Sequence, residues 1–164
     1  MIGRAGVSAV VALLVAGCGT PGALPESLDA YPHATAMADC APWDGIATSL
    51  FLSAAPLEPA APPGSEVPRP HLWISVYRGV DALAGERFEI DQDRTAGSAL
   101  CDTAGPCRPV TGGWIRFRDA STRETLVGEF EIELGPAGAA NRGTAATLAA
   151  RFRARWHERT FLCG

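Results

Sequence analysis

Five cysteines and three histidines are the side chains here with most capacity for chemistry. The histidines, His33, His71 and His157, are scattered along the chain. None sits in a pattern that activates a nucleophile or a metal-bound water: there is no G-x-S-x-G elbow, no H-E-x-x-H helix and no Gly-rich phosphate loop. Asp91-Gln92-Asp93 matches a fragment of a calcium loop. No glycine follows where such a loop must turn and no glutamate closes it, so a polar turn is the reading. The acidic pairs Asp39/Asp44 and Glu129/Glu131 match a glycosidase dyad in residue type alone. Catalysis is therefore not expected. Apart from Cys18, the cysteines are Cys40, Cys101, Cys107 and Cys163. Their spacing is not C-x2-C, and no histidine lies close in sequence to any cysteine pair, so no metal ligand or other cofactor is expected.

The N-terminus decides what the cysteines do. Met1 to Arg4 carries one positive charge, and Ala5 to Ala16 is apolar or small. That is the length of a signal-peptide core and too short for a permanent span, which needs roughly 20 apolar residues. Val15-Ala16-Gly17-Cys18 follows. This tetrapeptide resembles the lipobox of bacterial lipoproteins, with Val15 where leucine is commoner. The resemblance implies cleavage before Cys18, acylation of its thiol, and anchoring of the chain to a membrane by lipid. Gly19 is not the aspartate that retains such proteins in the inner membrane, so the expected location is the periplasmic side of the outer membrane or the cell surface. In an oxidising compartment an even set of cysteines reads as disulfides, with three connectivities for four residues. Asp102-Thr103-Ala104-Gly105-Pro106 contains a Gly-Pro suited to a reversal, which pairs Cys101 with Cys107 and leaves Cys40 with Cys163. By chain entropy the short loop contributes ~2.4 kcal/mol and the long one about 5 kcal/mol.

Without residues 1–17 the 164-residue chain keeps 147, enough for one domain. Loss of Arg4 moves the formal charge from −4 to −5. That balance argues against nucleic acid, whose phosphates need a basic surface. All 14 basic residues are arginine, in a chain rich in Ala, Gly and Pro, which reflects codon bias more than function.

These residues are positioned by short segments of two-residue period. Residues 18–38, with Pro21, Gly22, Pro25 and Pro32, read as a flexible lipidated tether, and residues 39–164 as the domain. Pro56 to Pro70 must be a loop. Strands are expected over 46–53, 71–78, 87–90, 97–101, 113–118, 126–134 and 146–156. In the last of these Leu148, Phe152 and Trp156 also fall at helical spacing. A helix would spread Arg151, Arg153 and Arg155 around its circumference, so strand is chosen. The expected fold is all-β, a small antiparallel sandwich or barrel with two disulfides.

Pairing 126–134 with 146–156 in an even-sum register puts Phe130, Ile132, Leu148, Phe152 and Trp156 on a buried side. It puts Glu129, Glu131, Glu133, Arg151, Arg153 and Arg155 on an exposed one. The charged rows are expected to be a solvated face; a partner surface would need arginine in local excess. Trp43 and Trp156 should flank the Cys40–Cys163 bridge at one end of the core. Trp73 and Trp114 fall on the polar phase of their strands. They are either the inner face of a sandwich or an exposed surface for a glycan or envelope protein. The expected function is a non-enzymatic binding module of the envelope. The alternative is an inhibitor of a secreted hydrolase, because small disulfide-bonded β lipoproteins that inhibit lysozyme resemble this chain in general plan. An envelope enzyme comes third.

Overall fold

The computed structural model describes residues 31–43, 45–58, 67–91, 95–120, 122, 124–135, 146–158 and 163. The expected signal peptide, Cys18 and the tether up to residue 30 lie outside the described residues. Eight strands form one sheet: β1 (His33–Cys40), β2 (Ile46–Ser53), β3 (His71–Val76), β4 (Arg87–Glu89), β5 (Ala96–Cys101), β6 (Arg108–Asp119), β7 (Thr125–Leu134) and β8 (Ala146–His157). The all-β class follows from the periodicities, and the sheet is a barrel rather than a sandwich. Its order is β4-β6-β5-β3-β2-β1-β8-β7, and β6 also pairs with β7, so a ring of seven strands closes. β4 lies outside the ring, paired with β6 at Arg87–Glu89. An odd ring cannot be antiparallel throughout. The mismatch falls between β1 and β8, which run parallel.

β7 and β8 pair over ten positions, Thr125↔Arg155 through Leu134↔Ala146, with Glu129 opposite Arg151. Along β7, Leu126, Gly128, Phe130, Ile132 and Leu134 are buried. Along β8, Phe152 and Ala154 are buried, while Leu148 and Trp156 pack partly buried against the core. Arg151, Arg153 and Arg155 are exposed, as the two-residue period requires. Phe152 meets the ring of Phe117 edge-on at 5.8 Å and stacks beside Phe130 at 6.4 Å. Gly128 has no alternative there: a Cβ would run into the Phe152 ring and the Arg116 carbonyl. Gly113, at φ +118°, brings its backbone against Glu131 beside the bulge near Val110, where any side chain would collide.

Two expectations need correction. Residues 33–38, read as tether, are most of β1, which pairs with β2 along its whole length from His33↔Ser53 to Cys40↔Ile46. Small residues at Ala34, Ala36 and Ala38 give no apolar signal; β1 is held by its neighbour and not by its own pattern. Trp43 is 60% exposed, with its ring edge-on to Tyr77 at 5.5 Å, instead of lying in the core beside Trp156. Trp156 is level with Ala36, four residues short of Cys40 along β1.

Both expected disulfides are present, Cys40–Cys163 and Cys101–Cys107. Their positions explain them. The β5–β6 junction has two residue pairs and the β1–β8 junction three, against six to ten at the other ring contacts. Cys101 ends β5 and Cys107 precedes β6; Cys40 ends β1, and Cys163 follows β8. Each thinly hydrogen-bonded seam of the ring therefore carries a covalent staple. Among the described residues no helix is long and apolar enough to cross a membrane.

Candidate functional site

The parallel seam is the weak point of the wall, and a cleft opens there. β1 and β8 are paired at Thr35–Met37 and Arg155–His157. Towards the start of β1 the two strands part, and an open cleft of about 1350 Å³ lies between them, the loop after β2 and the β6–β7 turn. Trp156 and Ala34, on the inward phase, line it with apolar surface. Arg153, Arg155, His33 and His157, on the outward phase, bring nitrogen; Glu58, Glu124 and Glu158 bring carboxylates. The Trp156 amide donates to the Glu124 carbonyl at 2.8 Å, which ties the turn to β8. Burial, and then the charge of Arg155, holds the His157 imidazole below its ordinary 6.5, so it is a neutral donor or acceptor near pH 7.

The charged rows are arranged differently from a uniformly neutralised face. Glu129 takes a bidentate contact from Arg118 on β6, at 2.7 and 2.9 Å, and sits 3.7 Å from Arg151. The Arg118 hydrogen bond holds the Glu129 carboxyl below the usual carboxylate value. Glu131 and Glu133 face Ala149 and Thr147, whereas Arg153 and Arg155 face Val127 and Thr125. Arg153 and Arg155 thus lie opposite uncharged residues of β7, and the carboxylates that line the cleft with them are those of Glu58, Glu124 and Glu158. Among the described residues neither Arg153 nor Arg155 forms an ion pair.

Trp73 and Trp114, expected as the inner face or as a shared aromatic surface, are on the outside of the barrel and apart. Trp73 is level with Ala99, and Ala99 with Pro109. Trp114 lies five residues farther along β6, roughly 16 Å at the strand rise. Trp73 is half-buried and its indole N–H donates to Ser49 Oγ at 3.2 Å. Ser49 Oγ is also 2.7 Å from Asp39 Oδ2 and 3.0 Å from Ser75 Oγ. One proton to the carboxylate and two lone pairs satisfy all three partners if Ser75 donates. Trp114 carries the Arg87 guanidinium over its ring at 4.5 Å and borders a shallow recess of about 270 Å³. Of the calcium-like fragment only Asp91 is described, and it accepts from the Thr95 amide and hydroxyl at 2.9 and 3.1 Å. Gln92, Asp93 and Asp44 lie outside the described residues.

A second cluster was not foreseen. Sequence distance separates His71 from the cysteines, but the β3–β5 register sets His71 opposite Cys101. A ring nitrogen of His71 and the sulfurs of Cys101 and Cys107 lie within 4.8 Å of one another. His71 is buried, its Nδ1 3.3 Å from the Pro68 carbonyl, and burial holds its imidazole below 6.5 against the pull of that carbonyl. Arg69 braces the exposed loop, donating to Gly105 O at 2.6 Å and reaching Cys107 Sγ at 3.5 Å. Arg108 turns inward, its Nε 3.3 Å from Asp102 Oδ2 but without hydrogen-bond alignment. Nearby, burial and then the Asp102 charge raise the Tyr31 phenol. The signal for this cluster was the pairing of strand 71–78 with 97–101, which places a histidine beside the bridge. No protein-family model, curated protein or solved structure matches this chain.

Proposed function

We propose that this protein is a lipid-anchored, non-enzymatic binding module of the cell envelope whose seam cleft takes an extended peptide segment carrying both an amine and a carboxylate. The peptide arm of a cell-wall fragment has that chemistry. The observation that carries the reading is the cleft itself: Arg153 and Arg155 beside Glu58, Glu124 and Glu158, with Trp156 as the apolar surface between them. Exposed ion pairs contribute roughly 0–1 kcal/mol each, so affinity has to come from several contacts along an extended ligand. The aromatic surface supplies the non-polar part. Titration calorimetry with soluble wall peptides tests this. Micromolar binding that weakens at least about tenfold in Arg153→Ala/Arg155→Ala, with an unchanged melting temperature, is the expected result. Failure of the wild type to bind any wall peptide refutes it.

Anchoring and location at the outer membrane or cell surface rest on the Cys18 motif. Cys18→Ser should leave the precursor uncleaved and free of radiolabelled fatty acid; membrane fractionation of that variant exactly like wild type would contradict it. The inhibitor reading is favoured by one observation, the loop exposed over residues 103–107, which a disulfide closes and Arg69 braces. A pre-ordered protruding loop is what blocks a hydrolase cleft at low entropic cost. A lysozyme turbidity assay with and without the protein decides it.

A further inference from the structure

The Cys101–Cys107 bridge differs from an inert staple in its surroundings. Cys107 is an exposed residue, whereas Cys101 is 4% exposed, so a reductant approaches from the Cys107 side. A guanidinium lies 3.5 Å from Cys107 Sγ, and a cation at that distance favours thiolate over thiol. A buried imidazole, with Nδ1 set against the Pro68 carbonyl, already stands within 4.8 Å of both sulfurs. We propose that reduction of this disulfide unmasks a site for a thiophilic cation, with Cys101, Cys107 and His71 as its ligands.

The steps balance. One thiolate of a dithiol reductant attacks Cys107 Sγ, the Cys101–Cys107 bond breaks, and Cys101 leaves as thiolate. The second thiol of the reductant then displaces Cys107, so the reductant ends as a disulfide and the protein holds two more electrons. Binding of the cation displaces the protons of the two thiols. Two thiolates and a neutral imidazole are a soft donor set that selects Zn²⁺ or Cu(I) over hard cations. Tetrahedral zinc with bonds of about 2.3 Å to sulfur and about 2.0 Å to nitrogen keeps its donors roughly 3.4–3.8 Å apart. The imidazole therefore needs a shift of at most about 1.4 Å, and the sulfurs part by movement of the exposed loop 103–107. Charge also fits. Zn²⁺ with two thiolates is neutral beside Arg69, and Cu(I) with two thiolates is a monoanion that Arg69 neutralises.

The test uses the full chain, reduced under anaerobic conditions and freed of reductant, with thiol alkylation and peptide mapping to identify the open cysteines. Cobalt(II) is the spectroscopic probe, with zinc and a Cu(I)–chelator competition as the two further arms. One equivalent of cobalt should give a thiolate-to-metal charge-transfer band in protein with Cys101 and Cys107 open. The oxidised protein should give none. Zinc or Cu(I) should displace the cobalt, and His71→Ala should weaken binding at least about tenfold. X-ray absorption on the wild-type zinc form makes the test independent of that variant's folding: two sulfurs and one or more nitrogens are expected. Absence of the band in protein with that pair open, an oxygen-only or all-sulfur shell, or a band that follows Cys40 and Cys163 instead would overturn the proposal.

Discussion

The barrel wall is built in two ways on either side of its stapled seams. In β6, β7 and β8 the inner face is dry and the outer face wet: Phe130 and Phe152 are buried while Arg151, Arg153, Arg155, Glu131 and Glu133 are exposed. In β2, β3 and β5 both faces are covered, and most positions of each strand are buried whichever way they point. Several outer positions of that wall are small or polar, among them Ala47, Ser49, Ser75 and Gly97, beside the aromatic pair Phe51 and Trp73. Ser49 and Ser75 are buried there, and they form one hydrogen-bonded group with the half-buried Asp39 and Trp73. A charged outer face costs little to change. A dry polar one holds a network whose members depend on each other.

The largest effect that would sharpen this contrast is at the seams. Opening Cys40–Cys163, which closes the ring where three residue pairs hold it, should cost about 5 kcal/mol against ~2.4 kcal/mol for Cys101–Cys107. Denaturant melts of the paired cysteine-to-serine variants measure it, and the reverse order would break the seam account. Phe152→Ala, on the dry face of the wet-sided wall, should cost about 3–5 kcal/mol. On the outside of the other wall, Ser49→Ala leaves the buried Ser75 hydroxyl without its partner and removes a hydrogen bond from the half-buried Asp39 and Trp73, and should cost about 1–3 kcal/mol. Arg153→Ala, on the wet outside, should cost under ~1 kcal/mol. Equal costs for Ser49 and Arg153 would erase the distinction between the walls.

The smallest effect is with pH. His71 and His157 are held below 6.5 in the fold, so the unfolded chain takes up protons that the native state resists as pH falls below 6.5. Unfolding free energy should therefore decline through that range. Glu129, held below 4.5, adds a contribution present above 4.5 and lost as pH falls through its lower native value. A stability profile that is flat from pH 7 to pH 4 would contradict both.

The same contrast explains what was legible in the sequence. The paired period and register of β7 and β8 could be read because solvent on one side forces Arg and Glu to alternate with Phe, Ile and Leu. β1 could not be read, because a strand of Ala and Thr between two neighbours needs no sidedness of its own. The disulfides were legible from parity and a Gly-Pro turn. The β1–β8 cleft and the nearness of His71 to Cys101 were not, since both arise from strands far apart in sequence. Trp73 and Trp114 were correctly placed out of phase with the core, but their separation follows from β5 lying between β3 and β6.

The proposed binding site is the parallel seam between β1 and β8. Chemical-shift mapping of the isotopically labelled protein during titration with a soluble wall peptide tests it most directly. Shifts are expected at the Trp156 indole, His33, His157 and the Arg153 and Arg155 side chains, and none in Arg153→Ala/Arg155→Ala. Shifts confined to the 102–107 loop, or none at saturating peptide, would contradict it.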